Sequence, residues 1–158
     1  MPVPAFILSM RAKLGTDLIW MPGVSAVVLD DHGRVLLGQR ADNGRWTLIT
    51  GILDPGEEPA VGAVREVEEE TGVVVRVDRL ASVSAGDPVT FPNGDHAQFL
   101  DLTFRCRYVA GQARVGDDES LAVDWYDVDD LPDSMPDHHR WRLRTALPVT
   151  GEAVFRTS

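Results

Sequence analysis

The sequence predicts a mixed α/β fold of the α+β kind, formed as a single domain over residues 1–158. Three observations lead there. First, 158 residues at 44% apolar and 25% charged have the size and composition of a domain that buries its own core. Second, short apolar runs alternate with turn chemistry, as strands do. Third, between those runs Pro59 to Thr71 carries Ala60, Val64, Val67 and Thr71 at the spacing of one helix face.

Taken in order, residues 1–20 read as an N-terminal extension in which Ala5 to Leu14 forms a short amphipathic helix. That stretch lacks a basic leader and a small-residue cleavage site, so it is not expected to be a signal peptide. Val24 to Leu29 reads as a buried strand, Asp30-Asp31-His32-Gly33 as a turn, and Arg34 to Gly38 as the returning strand. Ala41-Asp42-Asn43-Gly44 is a second turn, followed by one short strand from Trp46 to Thr50. A Gly/Pro/Asp loop over Gly51 to Glu58 leads into the helix. Pro59 suits its first turn, where a missing N–H costs nothing, and Gly72 suits a left-handed cap at its end. Val73 to Ser84 reads as strand, and Pro92-Asn93-Gly94-Asp95 as a hairpin turn. Gln98 to Val109 alternates, with Leu100, Leu102, Phe104, Cys106 and Tyr108 on the buried side and Asp101, Thr103, Arg105 and Arg107 on the wet side. Ala122 to Val128 is a further strand, and His138 to Leu147 a closing helix.

Charge narrows the function. Fifteen basic residues against 25 acidic ones give a net charge of −10, which repels nucleic-acid phosphates and argues against a nucleic-acid partner. A small phosphorylated substrate remains compatible, because a bound divalent cation reverses the local field. No apolar run approaches the roughly 20 residues that cross a bilayer, so no membrane partner is expected. A single cysteine, Cys106, permits no internal disulfide and fits a reducing, cytoplasmic setting. The four histidines, His32, His96, His138 and His139, lack a cysteine partner at zinc spacing and are expected at the surface.

The helix carries the chemistry. Glu66, Glu69 and Glu70 stand at spacings of three and four, so their carboxylates share a face, and Arg65 lies four residues before Glu69. Like charges at this spacing cost a few tenths of a kcal/mol per pair, at most ~0.5, in an isolated helix. Oxygen ligands of this kind are what Mg²⁺ or Mn²⁺ prefers, and a cation would turn the repulsion into binding. The competing reading is a solvated acidic face.

The spacing decides between them. Gly51, Glu57, Arg65, Glu66, Val67, Glu69, Glu70, Gly72 and Val73 fill every place of a signature that resembles that of the Nudix hydrolases. With each of its seven fixed identities at about 7%, a given window matches by chance roughly once in 10⁸. The resemblance implies an α/β/α sandwich with a mixed β-sheet. It also implies a metal-dependent hydrolase that cleaves the pyrophosphate linkage of a nucleoside diphosphate joined to another moiety: ADP-ribose-like, a nucleotide sugar or a nucleoside triphosphate. By position, Glu66, Glu69 and Glu70 would ligate Mg²⁺ (or Mn²⁺), joined by the carbonyl of Thr50. Glu57 and Arg65 would hold loop and helix in shape, while Gly51 and Gly72 would serve the backbone. Many members carry Pro-Gly where this chain has Ile49-Thr50; a β-branched Thr narrows the backbone choice but still offers its carbonyl.

Within that frame Glu69 is the expected general base, oriented by Arg65, with Glu66 and a loop carboxylate as alternatives. In the acidic loop Gly116 to Ser120, Glu119 is the expected further metal ligand and Asp118 its reserve; a solvated turn is the other reading. Arg40 and Arg45 are candidates to contact phosphate, with a plain surface charge the equal reading, and Trp46 is a candidate to stack on a base, with packing the favoured reading. The partner expected is a nucleotide-type small molecule, with a homodimer as the family habit. The alternative function is a non-catalytic nucleotide-sensing module of the same fold, whose mark would be eroded metal glutamates; all three are present here.

Overall fold

The computed structural model describes residues 3–157. In chain order its elements are α1 (Ala5–Leu14), β1 (Ile19–Leu29), β2 (Val35–Arg40), β3 (Trp46–Thr47), β4 (Ile49–Ile52), α2 (Pro59–Thr71), β5 (Val74–Ala85), β6 (Val89–Thr90), β7 (His96–Ala110), β8 (Ser120–Tyr126), α3 (Asp137–Ala146) and β9 (Val154–Phe155). All strands belong to one mixed sheet. Its main path runs β3-β2-β1-β7-β5-β9, with β4 added to β1, β6 to β7 and β8 to β2. The long central pair β1–β7 is parallel, as is β5–β9, and the other pairings are antiparallel.

Because side chains alternate along a strand, β1 shows how the layers divide. Val24, Ala26 and Val28 meet Ala63 and Val67 of α2 in one core. Val27 and Leu29 meet Leu143 and Ala146 of α3 in a second, and Ile19 and Met21 meet Ile7 of α1 in a third. Even positions thus face α2 and odd positions face α1 and α3, which makes the expected α/β/α sandwich. The helix α2 has the predicted bounds, with Pro59 in its first turn and Gly72 in the left-handed region at φ 67°. The Gly72 N–H donates to the Glu68 carbonyl and closes the last turn.

Three expectations need correction. The run Trp46 to Thr50 is not one strand. Trp46–Thr47 pairs with β2, whereas Ile49–Ile52 pairs with β1. Leu48, between the two strands, enters the core under α3 and Ile49 the core under α2. The polar side of β7 is not wet. Asp101 is 5% exposed and Thr103 fully buried, because α3 covers that face. Asp101 is stabilised there by hydrogen bonds from Ser25 Oγ at 2.6 Å and Thr103 Oγ1 at 2.7 Å, and by an ion pair with Arg142 Nε at 3.2 Å. Finally, His139 is a buried residue of α3, while His138 stays exposed beside it.

Candidate active site

The site is assembled where β4 hands the chain to α2. Residues 53–58 form a loop whose fold is fixed by Glu57. Its carboxylate accepts the Asp54 N–H at 3.1 Å, and the Glu57 N–H donates to the Asp54 carbonyl at 3.0 Å. Glu57 then receives both arms of the Arg65 guanidinium: Nε to Oε1 at 2.7 Å and Nη2 to Oε2 at 2.9 Å. Planar two-pronged pairing of this kind is strong and fixes orientation as well as charge. It holds the Glu57 carboxyl below the usual carboxylate range and pushes the Arg65 guanidinium further up. The loop lies so close to α2 that a side chain at Gly62 would have to displace the ends of Leu53 and Glu57. A Cβ there would stand 2.4 Å from Leu53 Cδ2 and 3.0 Å from Glu57 Oε2. A glycine inside a helix costs about 1 kcal/mol against alanine, so this one marks a required close approach. It lies outside the signature positions, and the sequence reading passed over it.

The remaining Arg65 nitrogen, Nη1, donates to Glu66 Oε1 at 2.9 Å and to Glu69 Oε2 at 3.1 Å. One arginine therefore organises three carboxylates. Their environments differ. Glu66 is 4% exposed and lies against β4. A Cβ on Gly51 would fall 2.0 Å from its Cδ, so the motif glycine is the cradle that lets Glu66 lie beside the Thr50–Gly51 peptide. Burial raises the Glu66 carboxyl to about 7, against the opposing pull of Arg65. Glu70, half-buried, is raised to about 8 by burial and then by repulsion from Glu66, Asp117 and Glu119, with Arg40 opposing. Glu69 is exposed and keeps one edge to solvent.

Two other segments reach this corner. The loop from Gly111 to Glu119 follows the end of α2, donating from the Arg114 N–H to the Thr71 carbonyl at 3.0 Å and from the Gly116 N–H to the Glu70 carbonyl at 2.8 Å. It brings Asp117 and Glu119 within electrostatic reach of Glu70. Asp118 is exposed on the same loop. Arg40, at the end of β2, forms a two-pronged pair with Asp42 at 2.9 and 2.8 Å and feels the charges of Glu119 and Glu70. Trp46 is half-buried and packs edge-on against Tyr126 with ring centres 5.0 Å apart, on the α3 side of the sheet. An open groove of about 770 Å³ between α2 and β5 is lined mainly by Ala60, Val61, Val64, Val75 and Val77. It touches this chemistry only at Arg65 and Glu69.

The donor set fits a hard divalent cation: clustered carboxylates, a backbone peptide beside Glu66, and one buried and one half-buried acid whose charged forms are disfavoured until a positive charge arrives. Among the described residues, no three acidic, histidine or cysteine side chains are gathered tightly enough to enclose an ion as they stand. Arg65 takes one oxygen each of Glu66 and Glu69, so closing around an ion requires those side chains to turn.

Comparison with known proteins places the same residues in a wider set. The family model described as "NUDIX domain" matches residues 20–148. A "MutT-like protein" of Streptomyces ambofaciens is 38% identical over 131 residues, covering 83% of this chain and 79% of its own length. The "NAD-capped RNA hydrolase NudC" of Klebsiella pneumoniae is 37% identical over 111 residues. There the match covers 69% of this chain but only 39% of the relative. Among solved structures, a MutT NUDIX hydrolase from Burkholderia pseudomallei superposes with a TM-score of 0.67 at 28% identity, over 80% of this chain and 98% of its own.

Proposed function

The chain belongs to the Nudix hydrolases, and from that premise we propose that it cleaves the pyrophosphate linkage of a nucleoside diphosphate joined to another moiety, using Mg²⁺ or Mn²⁺. The observation that carries the proposal is the pair of half-dehydrated carboxylates, Glu66 and Glu70, raised to about 7 and 8 and set side by side on α2. Such acids are poor structural choices and good ligands. Glu66, Glu69, Glu70 and the Thr50 carbonyl would hold the ion, with Glu119 completing the set from the loop.

When bound, the ion would offset the charge of the diphosphate and lower the pKa of a bound water. The residues of this chain supply the rest. Glu69 is the exposed carboxylate of the set, oriented by Arg65 Nη1 before an ion binds, and would accept the proton of the attacking water. The same guanidinium is locked by Glu57, so the base is held by a part that does not itself wander. Arg40 feels the charges of Glu70 and Glu119, and it would meet a phosphate oxygen by exchanging it for Asp42. A net charge of −10 favours a small substrate over an RNA chain.

The rest of the reading follows. One continuous sheet supports a single domain over residues 1–158. Leu8, Leu14, Leu18 and Trp20 are each about half exposed near the N-terminus and offer an apolar face for a homodimer. Cys106 is buried and unpaired, which suits the cytoplasm, and no helix of the described residues is long and apolar enough to cross a membrane. The test is a panel of ADP-ribose, nucleotide sugars and nucleoside triphosphates with Mg²⁺ or Mn²⁺ in ¹⁸O-labelled water. Label on the phosphorus of one of the two products, a nucleoside monophosphate and the phosphate or pyrophosphate of the other half, supports the proposal; no turnover of any member sinks it.

A further inference from the structure

The loop that carries Glu119 is tied to α2 by main-chain hydrogen bonds, and a glycine allows the tightest of its approaches to the helix. At Gly116 a Cβ would stand 1.9 Å from the Glu69 carbonyl oxygen and 2.8 Å from the Glu70 carbonyl carbon. Those atoms are helix main chain and cannot swing aside as a side chain would. The φ of Gly116 is not in the left-handed region, so the demand is for space rather than for an unusual backbone angle. The Gly116 N–H uses that space to donate to the Glu70 carbonyl at 2.8 Å. Two residues earlier, the Arg114 N–H donates to the Thr71 carbonyl at 3.0 Å. The far end of the loop is tied as well, where the Ala41 N–H donates to the Glu119 carbonyl at 2.8 Å.

The loop is thus referenced at one end to the peptide of Glu70 and at the other to the turn after β2. Asp117, Asp118 and Glu119 lie between these ties. We propose that Gly116 is a positioning residue for the reaction: by letting the loop touch the Glu69–Glu70 main chain, it sets the loop carboxylates at a fixed distance from the carboxylates of α2. This rests on the metal-site reading above and adds to it a residue outside the family signature, acting through Glu119 rather than on substrate. A side chain at position 116 pushes the loop away from α2 while leaving Glu66, Glu69 and Glu70 on an intact helix.

The experiment is Mn²⁺ binding by electron paramagnetic resonance, without substrate, on wild type, Gly116→Ala, Glu119→Gln and the double variant, with circular dichroism as the fold control. Gly116→Ala is expected to weaken Mn²⁺ about tenfold, in the range typical of residues that orient ligands. In the Glu119→Gln background the same change is expected to cost little more, because both act on one contact. A merely structural glycine would cost as much in either background, and that result overturns the proposal. Should Gly116→Ala fail to fold, one glycine inserted between residues 116 and 117 keeps the close contact and lengthens the tether. It is expected to weaken Mn²⁺ similarly, and wild-type affinity there overturns the proposal too. Wild type that binds no Mn²⁺ and hydrolyses nothing would instead fail the function proposed above. Active wild type with an unchanged Gly116→Ala fails this inference alone.

Discussion

Arg65 and Glu57 face each other as a two-pronged ion pair, at 2.7 and 2.9 Å, across the junction of the motif loop and α2. The pair does more than join two charges. It aims the third arginine nitrogen at Glu66 and Glu69, so the shape of the loop and the direction of two candidate ligands are one mechanical unit.

Arg65→Lys keeps the charge but cannot reproduce the fork. Turnover is expected to fall about 10- to 100-fold, as it does when a partner that orients ligands is lost. The melting temperature should drop by only about 2–4 °C, the equivalent of roughly 1 kcal/mol in a chain of this size. Steady-state hydrolysis and a thermal melt check both. Wild-type turnover in the lysine variant would contradict the coupling.

Beneath α3, Asp101 and Arg142 are an ion pair shielded from water, with side chains 6% and 10% exposed. Asp101→Leu leaves the Arg142 charge without its partner and is expected to cost about 3–5 kcal/mol. The double change Asp101→Leu with Arg142→Met should recover part of that, since no charge is left unpaired, while the buried hydroxyls of Ser25 and Thr103 still lack their acceptor. Urea unfolding of the two variants decides it, and equal losses would refute the argument.

His139 provides a pH dependence of known sign. Burial, helped by His138 and Arg142, holds its pKa well below 6.5. The unfolded chain therefore takes up a proton that the folded chain refuses. The resulting stability is fully present above about pH 6.5 and declines as pH falls toward the depressed folded value, by at most about 1.4 kcal/mol per pH unit. His139→Leu removes this dependence, so its stability should fall less steeply than wild type between about pH 6.5 and 5. Parallel stability curves would show that His139 is not the group responsible.

What the sequence made legible follows from where its information lies. The carboxylates of α2, its Pro59 start and its Gly72 end are set by spacings within one helix, and the structure reproduces them. For Glu57 it was the family resemblance, not spacing, that implied a part in holding the loop, and the structure pairs it with Arg65 eight residues on. The structure pairs Asp101 with Arg142, and Gly116 with the Glu69 carbonyl, across distant parts of the chain. No periodicity records such contacts. The alternation of β7 placed its two faces correctly but could not say that α3 covers the polar one. His139 was misread for the same reason: burial is decided by what packs on a helix, not by the helix itself. The split between β3 and β4 was hidden because both halves are apolar and each finds a different neighbour.

On the function proposed here, Glu66, Glu69 and Glu70 of α2 together bind a divalent cation. The most direct measurement is a Mn²⁺ titration of the wild-type chain beside Glu66→Gln and Glu70→Gln, each confirmed folded. The account predicts saturable binding by the wild type and at least about a tenfold loss in both variants, as expected when a charged oxygen ligand is replaced by a neutral amide. Undiminished Mn²⁺ affinity in the two amide variants would contradict it.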